Sequence, residues 1–139
     1  MSSFHWPIRV YYEDTDGGGV VYHANYLKFM ERARTEWLRS LGFEQTELKS
    51  GMGIIFVVRG IDIQYKRPAS FNDALTVVTT ISKTGRSLLV FEQIVQRNNQ
   101  IMTQATVEVA CVSAADFKPV SIPQPIRLAM QAIYANNGV

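Results

Sequence analysis

The residues best suited to chemistry lie in a short acidic and glycine-rich segment near the start of the chain. Residues 13–26 read EDTDGGGVVYHANY, so the carboxylate of Asp16 is followed by three glycines and then by His23. A carboxylate can act as a general base towards water or as a nucleophile towards a carbonyl carbon. Free amide N–H groups at a helix start can hold a developing oxyanion. If a helix begins near His23, this segment supplies both requirements of acyl transfer.

Each of these residues also has a structural interpretation. Asp16 can serve as a turn or capping residue in a polar loop, and the pattern alone leaves that alternative open. A histidine at a helix start is more often a packing residue than a catalytic one. Residues 17–19 could instead cradle a phosphate, but they lack the Gly-x-Gly-x-x-Gly spacing and the Lys-Ser/Thr pair of phosphate-binding loops.

A long helix is expected directly after this segment. Over residues 23–41, apolar side chains recur at spacings of three and four, which places them on one helix face, and Gly42 is a natural stop. Arg34 falls within this apolar sector, so its stem is expected to pack while its guanidinium reaches a partner or water. The apolar face consists of Tyr26, Met30, Ala33, Trp37 and Leu41.

Most of the remaining chain predicts β-strands joined by tight turns. The order of elements indicates an α+β domain over residues 1–139, in which an antiparallel sheet wraps around one helix. One helix covers only one face, so apolar surface elsewhere is expected to pair with a second copy of the chain. Pro123 and Pro125 are expected to open a short last helix that runs to about Ala135. The strands are expected over residues 4–12, 54–65, 75–83, 87–97 and 101–113.

Composition narrows the class of protein. The 139 residues are 47% hydrophobic and 19% charged, which suits one globular domain. A net charge of +2 without a dense basic stripe argues against a nucleic-acid partner. No stretch approaches the ~20 apolar residues of a membrane span, and residues 1–7 lack the apolar core of a signal peptide. The single cysteine, Cys111, is expected to be a small buried hydrophobe, which fits a cytoplasmic location.

Residues 9–26, RVYYEDTDGGGVVYHANY, closely resemble the signature of the 4-hydroxybenzoyl-CoA thioesterase family. Within that family they resemble most the YbgC-like acyl-CoA thioesterases associated with the bacterial Tol-Pal system. The resemblance continues through residues 31–36, 56–59 and 87–91 and ends near Pro119. It implies the hotdog fold, dimers that often pair into tetramers, and no metal or organic cofactor.

The resemblance also implies roles for individual residues. Asp16 matches the family's catalytic carboxylate, and the amide that polarises the thioester carbonyl falls near His23, whose side chain is a second catalytic candidate. Arg86 and Ser87 match the phosphate-binding segment, although Arg86 could equally be a solvated turn charge. The further candidates for substrate binding are Gly19, Val20, Tyr22, Asn25, Tyr26 and Lys83, followed by Lys66 and Arg67.

The sequence therefore predicts an enzyme that hydrolyses acyl-CoA to a free acid and coenzyme A, with Asp16 as base or nucleophile. An aliphatic acyl group is preferred because the match is closer to the Tol-Pal-type relatives. An aryl-CoA thioesterase and a non-catalytic acyl-binding hotdog module are the alternatives. The expected partners are acyl-CoA and further copies of the chain, with an acyl carrier protein as another candidate, and neither nucleic acid nor membrane insertion is expected.

Overall fold

The protein folds as a single antiparallel sheet that curves around one long helix. The computed structural model describes residues 3–134. In chain order the elements are β1 (Phe4–Arg9), a 3-10 turn (Tyr12–Asp14), α1 (Asn25–Ser40), α2 (Gln45–Glu47) continuing as a π-helical turn (Leu48–Met52), β2 (Ile54–Tyr65), β3 (Ala74–Thr84), β4 (Leu88–Arg97), β5 (Gln100–Ser113) and α3 (Gln124–Tyr134).

The sheet has five strands in the order β1-β3-β4-β5-β2, and every neighbouring pair is antiparallel. The predicted α+β class and the hotdog architecture are confirmed. The core lies between the sheet and α1, where Phe29, Met30 and Ala33 are fully buried. Alternate residues of the strands, among them Val77 and Val107, close the core from the other side, as the period of two along a strand requires.

β2 forms one edge of the sheet, and within residues 3–134 its partner strand is β5. Several of its apolar side chains lie exposed, including Val58 at 47% and Ile61 at 39%. An apolar edge strand with unpaired backbone groups is a template for pairing with another chain. This edge therefore offers a surface for the predicted contact with a second copy.

Two predicted boundaries differ from the structure. The first strand was expected to reach residue 12, but it ends at Arg9, and Tyr12–Asp14 form a 3-10 turn. The amide of Tyr11 donates to the Asp14 carboxylate at 2.8 Å, which turns the backbone away from the sheet. The long helix begins at Asn25 rather than His23, because residues 23 and 24 form a turn in which Asn25 N–H donates to the carbonyl of Tyr22 at 2.8 Å.

The other expectations about elements agree with the structure to within one or two residues. Gly42 follows the end of α1 with a φ of 97°, a conformation that favours glycine. Cys111 is buried as expected, and its burial raises the pKa of the thiol. The last helix is present, although Ala135, its expected end, lies outside the described residues. None of the helices within residues 3–134 is both long and apolar enough to span a bilayer.

Candidate active site

The loop that carries Asp16 is closed by hydrogen bonds between its own backbone groups and lies beside the start of β3. The Asp16 amide donates to the carbonyl of Val20 at 2.9 Å, and the Gly19 amide donates to the carbonyl of Asp16 at 3.2 Å. Gly19 adopts a φ of 81°, which a residue with a side chain rarely adopts. Val20 also forms a β-bridge with Ser70, which docks the loop against the segment that precedes β3.

Asp16 and His23 line the same cleft, which has a volume of about 350 Å³. The Asp16 side chain is exposed, and its Oδ1 accepts a hydrogen bond from the Gly18 amide at 2.7 Å. Its second oxygen is thus the one placed to take a proton or attack a carbon. The remaining lining residues are Val20, Val21, Tyr26, Tyr65, Lys66, Arg67 and Pro68.

His23 lies in the turn directly before α1, and its side chain is exposed. Its ring lies against Tyr22, with 4.6 Å between ring centroids, and its carbonyl accepts a hydrogen bond from the Tyr65 hydroxyl at 3.0 Å. Among the described residues, no oxygen accepts a hydrogen bond from the His23 or Ala24 amide. These N–H groups precede the positive end of the helix dipole, so they can receive a carbonyl oxygen that gains negative charge.

The neighbouring motif residues hold the cleft together. Tyr26 is buried, and its hydroxyl accepts the Ala69 amide at 3.1 Å. Asn25 is also buried but lies away from the cleft lining, because its Nδ2 donates to Asp14 Oδ1 at 2.9 Å. Tyr22 likewise lies outside the cleft lining and contacts the ring of His23. Of the motif residues predicted to bind substrate, Val20 and Tyr26 therefore reach the cleft itself, and the others surround it.

The predicted phosphate-binding residues lie at the other end of the sheet. Arg9, which leads to the acidic loop, pairs with Ala74 at the start of β3. Arg86 and Ser87 follow the end of β3 at Thr84, which is roughly 33 Å away along the strand. Lys83 lines a separate cleft there, with α3. One chain thus brings Asp16 together with Lys66 and Arg67, but not with Lys83, Arg86 or Ser87.

The structure also places Tyr65 and Asp14 in this region, and sequence reasoning singled out neither residue. Tyr65 ends β2 and bonds to His23, 42 positions away, so its contact is a product of the fold. Desolvation, together with the nearby Tyr26, raises the pKa of Tyr65 above its ordinary value. Asp14 reads as the first acid of an exposed loop, yet it is only 6% exposed. The two groups that donate to its carboxylate, the Tyr11 amide and the Asn25 side chain, flank the loop on both sides.

Across residues 3–134, no group of three or more His, Cys, Asp or Glu side chains is arranged to hold a metal ion. The expectation of a reaction without metal or organic cofactor stays a prediction.

Comparison with known proteins gives the family. The profile of the Thioesterase superfamily matches residues 18–103. The chain belongs to this superfamily. It is 47% identical to the acyl-CoA thioesterase YbgC of Haemophilus influenzae, over 92% of this chain and 94% of that protein. The predicted resemblance to YbgC-like members of the superfamily is therefore confirmed over almost the whole chain.

Solved structures of the superfamily share the architecture. A protein from Bartonella henselae described as a probable thioesterase is 39% identical, with a TM-score of 0.84, and the match covers 88% of this chain and all of that one. A 1,4-dihydroxy-2-naphthoyl-CoA thioesterase from Synechocystis is 25% identical, with a TM-score of 0.87 and coverage of 95% and 98%. Of these two structural neighbours, one is thus named for an aromatic acyl group and the other is named without an acyl group.

Proposed function

We propose that this thioesterase-superfamily protein hydrolyses aliphatic acyl-CoA thioesters and that Asp16 is its catalytic carboxylate. The observation that carries the proposal is the shared cleft of Asp16 and His23, next to amides that precede α1. The 47% identity to a protein named as an acyl-CoA thioesterase supports the same activity. A carboxylate beside an oxyanion site is of little use to a module that only binds acyl groups.

The proposed reaction begins when the thioester carbonyl accepts hydrogen bonds from the amides of His23 and Ala24. These donors stabilise negative charge as it develops on the oxygen. In the general-base route, Asp16 takes a proton from water while the water oxygen bonds to the carbonyl carbon. The tetrahedral intermediate then collapses, the carbon–sulfur bond breaks, and coenzyme A leaves as a thiolate that takes up a proton. The imidazole of His23 is a candidate to assist these proton transfers.

In the nucleophile route, Asp16 itself attacks the carbonyl carbon and expels the thiolate, which leaves a mixed anhydride for water to open. Single-turnover hydrolysis in water labelled with heavy oxygen tests the nucleophile route, because water that opens the anhydride at the Asp16 carbonyl leaves its label in Asp16. The general-base route places the label in the free acid alone. Label recovered in a peptide that contains Asp16 would establish the nucleophile route.

The aliphatic substrate class is tested by release of coenzyme A thiol across acyl chains of different length and across aromatic acyl-CoAs. We expect kcat/KM for the best aliphatic substrate to exceed that for benzoyl-type substrates by about tenfold or more, which corresponds to ~1.4 kcal/mol in the transition state. A preference for aromatic acyl groups would favour the aryl-CoA alternative, in line with the dihydroxynaphthoyl-CoA enzyme among the structural neighbours. Binding without turnover of any thioester would favour the acyl-binding module.

We also propose that the active form is a homodimer or a tetramer built from dimers. The exposed apolar side chains of β2 support pairing along this edge. In an antiparallel pair about a two-fold axis, Tyr65 of one copy approaches the Ile54 end of the other. Static light scattering should therefore give at least twice the 15.7 kDa of one chain. A monomer at micromolar concentration would contradict this part of the proposal.

Such a pair offers a role for the residues at the far end of the sheet. Leu88, beside Arg86, pairs with Ala110, which in turn pairs with Val57 near the start of β2. The turn with Arg86 thus shares a sheet end with the start of β2, and there it would approach the Asp16 cleft of the second copy. We propose that Arg86, with Ser87 and Lys83, binds the phosphates of a coenzyme A whose thioester lies in that cleft.

The cytoplasmic location is supported by the single buried cysteine. Association with the Tol-Pal system and use of an acyl carrier protein as a thioester donor are proposed from the family resemblance. Cell fractionation tests the location, and a turnover assay with acylated carrier protein tests that donor, both separately from the chemistry of Asp16.

A further inference from the structure

Asp14 is a buried carboxylate in a loop whose other members are mostly exposed. Its Oδ2 accepts the Tyr11 amide at 2.8 Å, and its Oδ1 accepts Nδ2 of Asn25 at 2.9 Å. Its backbone carbonyl accepts the Tyr22 amide at 2.9 Å. These three hydrogen bonds join the chain before the loop, the chain after it, and the first turn of α1.

These hydrogen bonds lie next to the groups that carry out the proposed reaction. Asp14 precedes Asp16 by two residues, so the hydrogen bonds at Asp14 fix the point from which the Asp16 loop departs. Tyr22 and Asn25 bracket His23 and Ala24, whose amides are the proposed oxyanion donors. Asp14, through its carboxylate and its backbone carbonyl, thus anchors both the Asp16 loop and the His23–Ala24 amides, which must lie at a fixed separation.

The chemistry of the contact suits such an anchor. A carboxylate accepts both hydrogen bonds at once and makes them charge-assisted, which strengthens them relative to neutral bonds. A negative charge near the first turn of α1 also interacts favourably with the helix dipole. An asparagine at position 14 presents one oxygen and one NH₂ group, so it keeps both contacts only if the Asn25 side-chain amide turns over to accept, and neither hydrogen bond is then charge-assisted.

We propose that Asp14, acting through Asn25, is a positioning residue that sets the distance between the Asp16 carboxylate and the amides before α1. This inference rests on the proposed thioesterase function. A catalytic centre loses rate steeply when its groups move by about 1 Å, by up to about a hundredfold. Asp14 therefore contributes to the rate of the chemical step without contacting the substrate.

The test uses Asp14→Asn, Asn25→Asp and the double variant that exchanges the two side chains. Asp14→Asn should lower kcat by about tenfold or more and change KM by less than about threefold, because binding and transition-state geometry are affected differently. In the double variant, the oxygen of the new amide at position 14 accepts the Tyr11 amide. Its NH₂ group then donates to the new carboxylate at position 25, so kcat should recover at least partly.

Each variant is compared with wild type by melting temperature and by oligomeric mass, so that loss of fold is separated from loss of positioning. A folded Asp14→Asn variant with wild-type kcat would overturn the inference, as would a folded double variant no faster than the slower single variant. If Asp14→Asn does not fold, the folded double variant decides between these outcomes. Wild type and Asp16→Asn are measured in parallel: absence of thioester turnover by wild type means that the proposed function has failed, and a fully active Asp16→Asn variant means that the assignment of Asp16 has failed. Both results are distinct from wild-type kcat in Asp14→Asn beside a slow Asp16→Asn, which overturns the Asp14 inference alone.

Discussion

Tyr65 shows how a single side chain can fix the backbone that the proposed reaction uses. Its hydroxyl donates to the carbonyl of His23 at 3.0 Å, and its ring packs near those of His23 and Tyr26. The amide of His23 is the expected contact for the thioester oxygen. A hydrogen bond on the carbonyl of the same residue restrains the orientation of that turn.

Replacement of Tyr65 by Phe removes this hydroxyl and keeps the ring. One hydrogen bond is worth about 0.5–1.5 kcal/mol, so kcat should fall about two- to tenfold while KM changes little. Steady-state kinetics on the best acyl-CoA substrate measure the effects on kcat and on KM separately. Tyr65→Leu serves as the control for ring packing. A Phe variant with wild-type kcat beside a slow Leu variant would assign the effect to the ring rather than to the hydroxyl.

At the scale of elements, patterns that are local in sequence predicted most of the fold. The apolar recurrence over residues 23–41 predicted α1, and strand patterns joined by tight turns predicted the five strands. The predicted extension of the first strand to residue 12 was wrong, because the Tyr11 amide donates to the Asp14 side chain and the chain turns there. Contacts of that kind depend on side-chain direction, which the period of two does not encode.

The partner of Arg34 illustrates a second limit. Its stem was expected to pack and its head to reach a partner or water, and the guanidinium donates to Gln93 Oε1 on β4 at 2.9 Å. Gln93 is fully buried and donates in turn to the carbonyl of Met30 and to the Thr79 hydroxyl, both at 3.0 Å. Burial lowers the pKa of Arg34, and the nearby Glu31 opposes this effect. The sequence indicated that the Arg34 head must reach a partner or water. It did not identify Gln93, which lies 59 positions away and is brought close by the fold.

Replacement of Gln93 by Leu should destabilise the protein through this contact between α1 and the sheet. The change leaves the Arg34 guanidinium without its acceptor in a buried setting, at a cost of about 1–3 kcal/mol or more. Urea unfolding at fixed protein concentration measures the loss. Gln96→Leu, a half-buried position on the same strand, is the matched control and should change stability by less than about 0.5 kcal/mol.

Adding Arg34→Met to Gln93→Leu should recover part of the stability, because the uncompensated charge is then removed as well. If the double variant is less stable than either single variant by the sum of their effects, the two side chains act independently and the network has no energetic role.

At the scale of the whole molecule, the candidate site is divided between the two ends of the sheet. The acidic loop lies beside the start of β3, whereas Arg86 follows its end. The sequence predicted both groups by resemblance, but it gave no indication that one chain holds them apart. Antiparallel pairing of two copies along β2 would bring Arg86 of one copy towards Asp16 of the other.

Arg86→Ala should raise KM for acyl-CoA by about five- to thirtyfold and leave kcat nearly unchanged, because a phosphate contact of ~1–2 kcal/mol is the same in the ground and transition states. An acyl-pantetheine, which lacks the nucleotide, should not distinguish the variant from wild type. Equal losses on both substrates would make Arg86 a structural residue, and no change on either would make it a solvated turn charge.

Co-assembly of the Asp16→Asn and Arg86→Ala chains tests whether the site is shared. In a shared site, about a quarter of the sites in a random dimer mixture would combine an intact Asp16 with an intact Arg86 and regain wild-type KM. A mixture whose kinetics equal the sum of the two separate variants would place both residues in a site within one chain.

The most direct test of the account is the activity of Asp16→Asn on the preferred acyl-CoA. Asp116→Asn is the matched control, because the Asp116 carboxylate accepts the Lys118 amide two residues ahead, at 3.1 Å, much as Asp16 accepts that of Gly18. We predict that Asp16→Asn keeps the melting temperature and oligomeric mass of wild type and lowers kcat/KM by about a hundredfold or more, whereas Asp116→Asn keeps the wild-type rate. A folded Asp16→Asn variant that retains more than about a tenth of wild-type kcat/KM, a loss below ~1.4 kcal/mol, would contradict the assignment of Asp16 as the catalytic carboxylate.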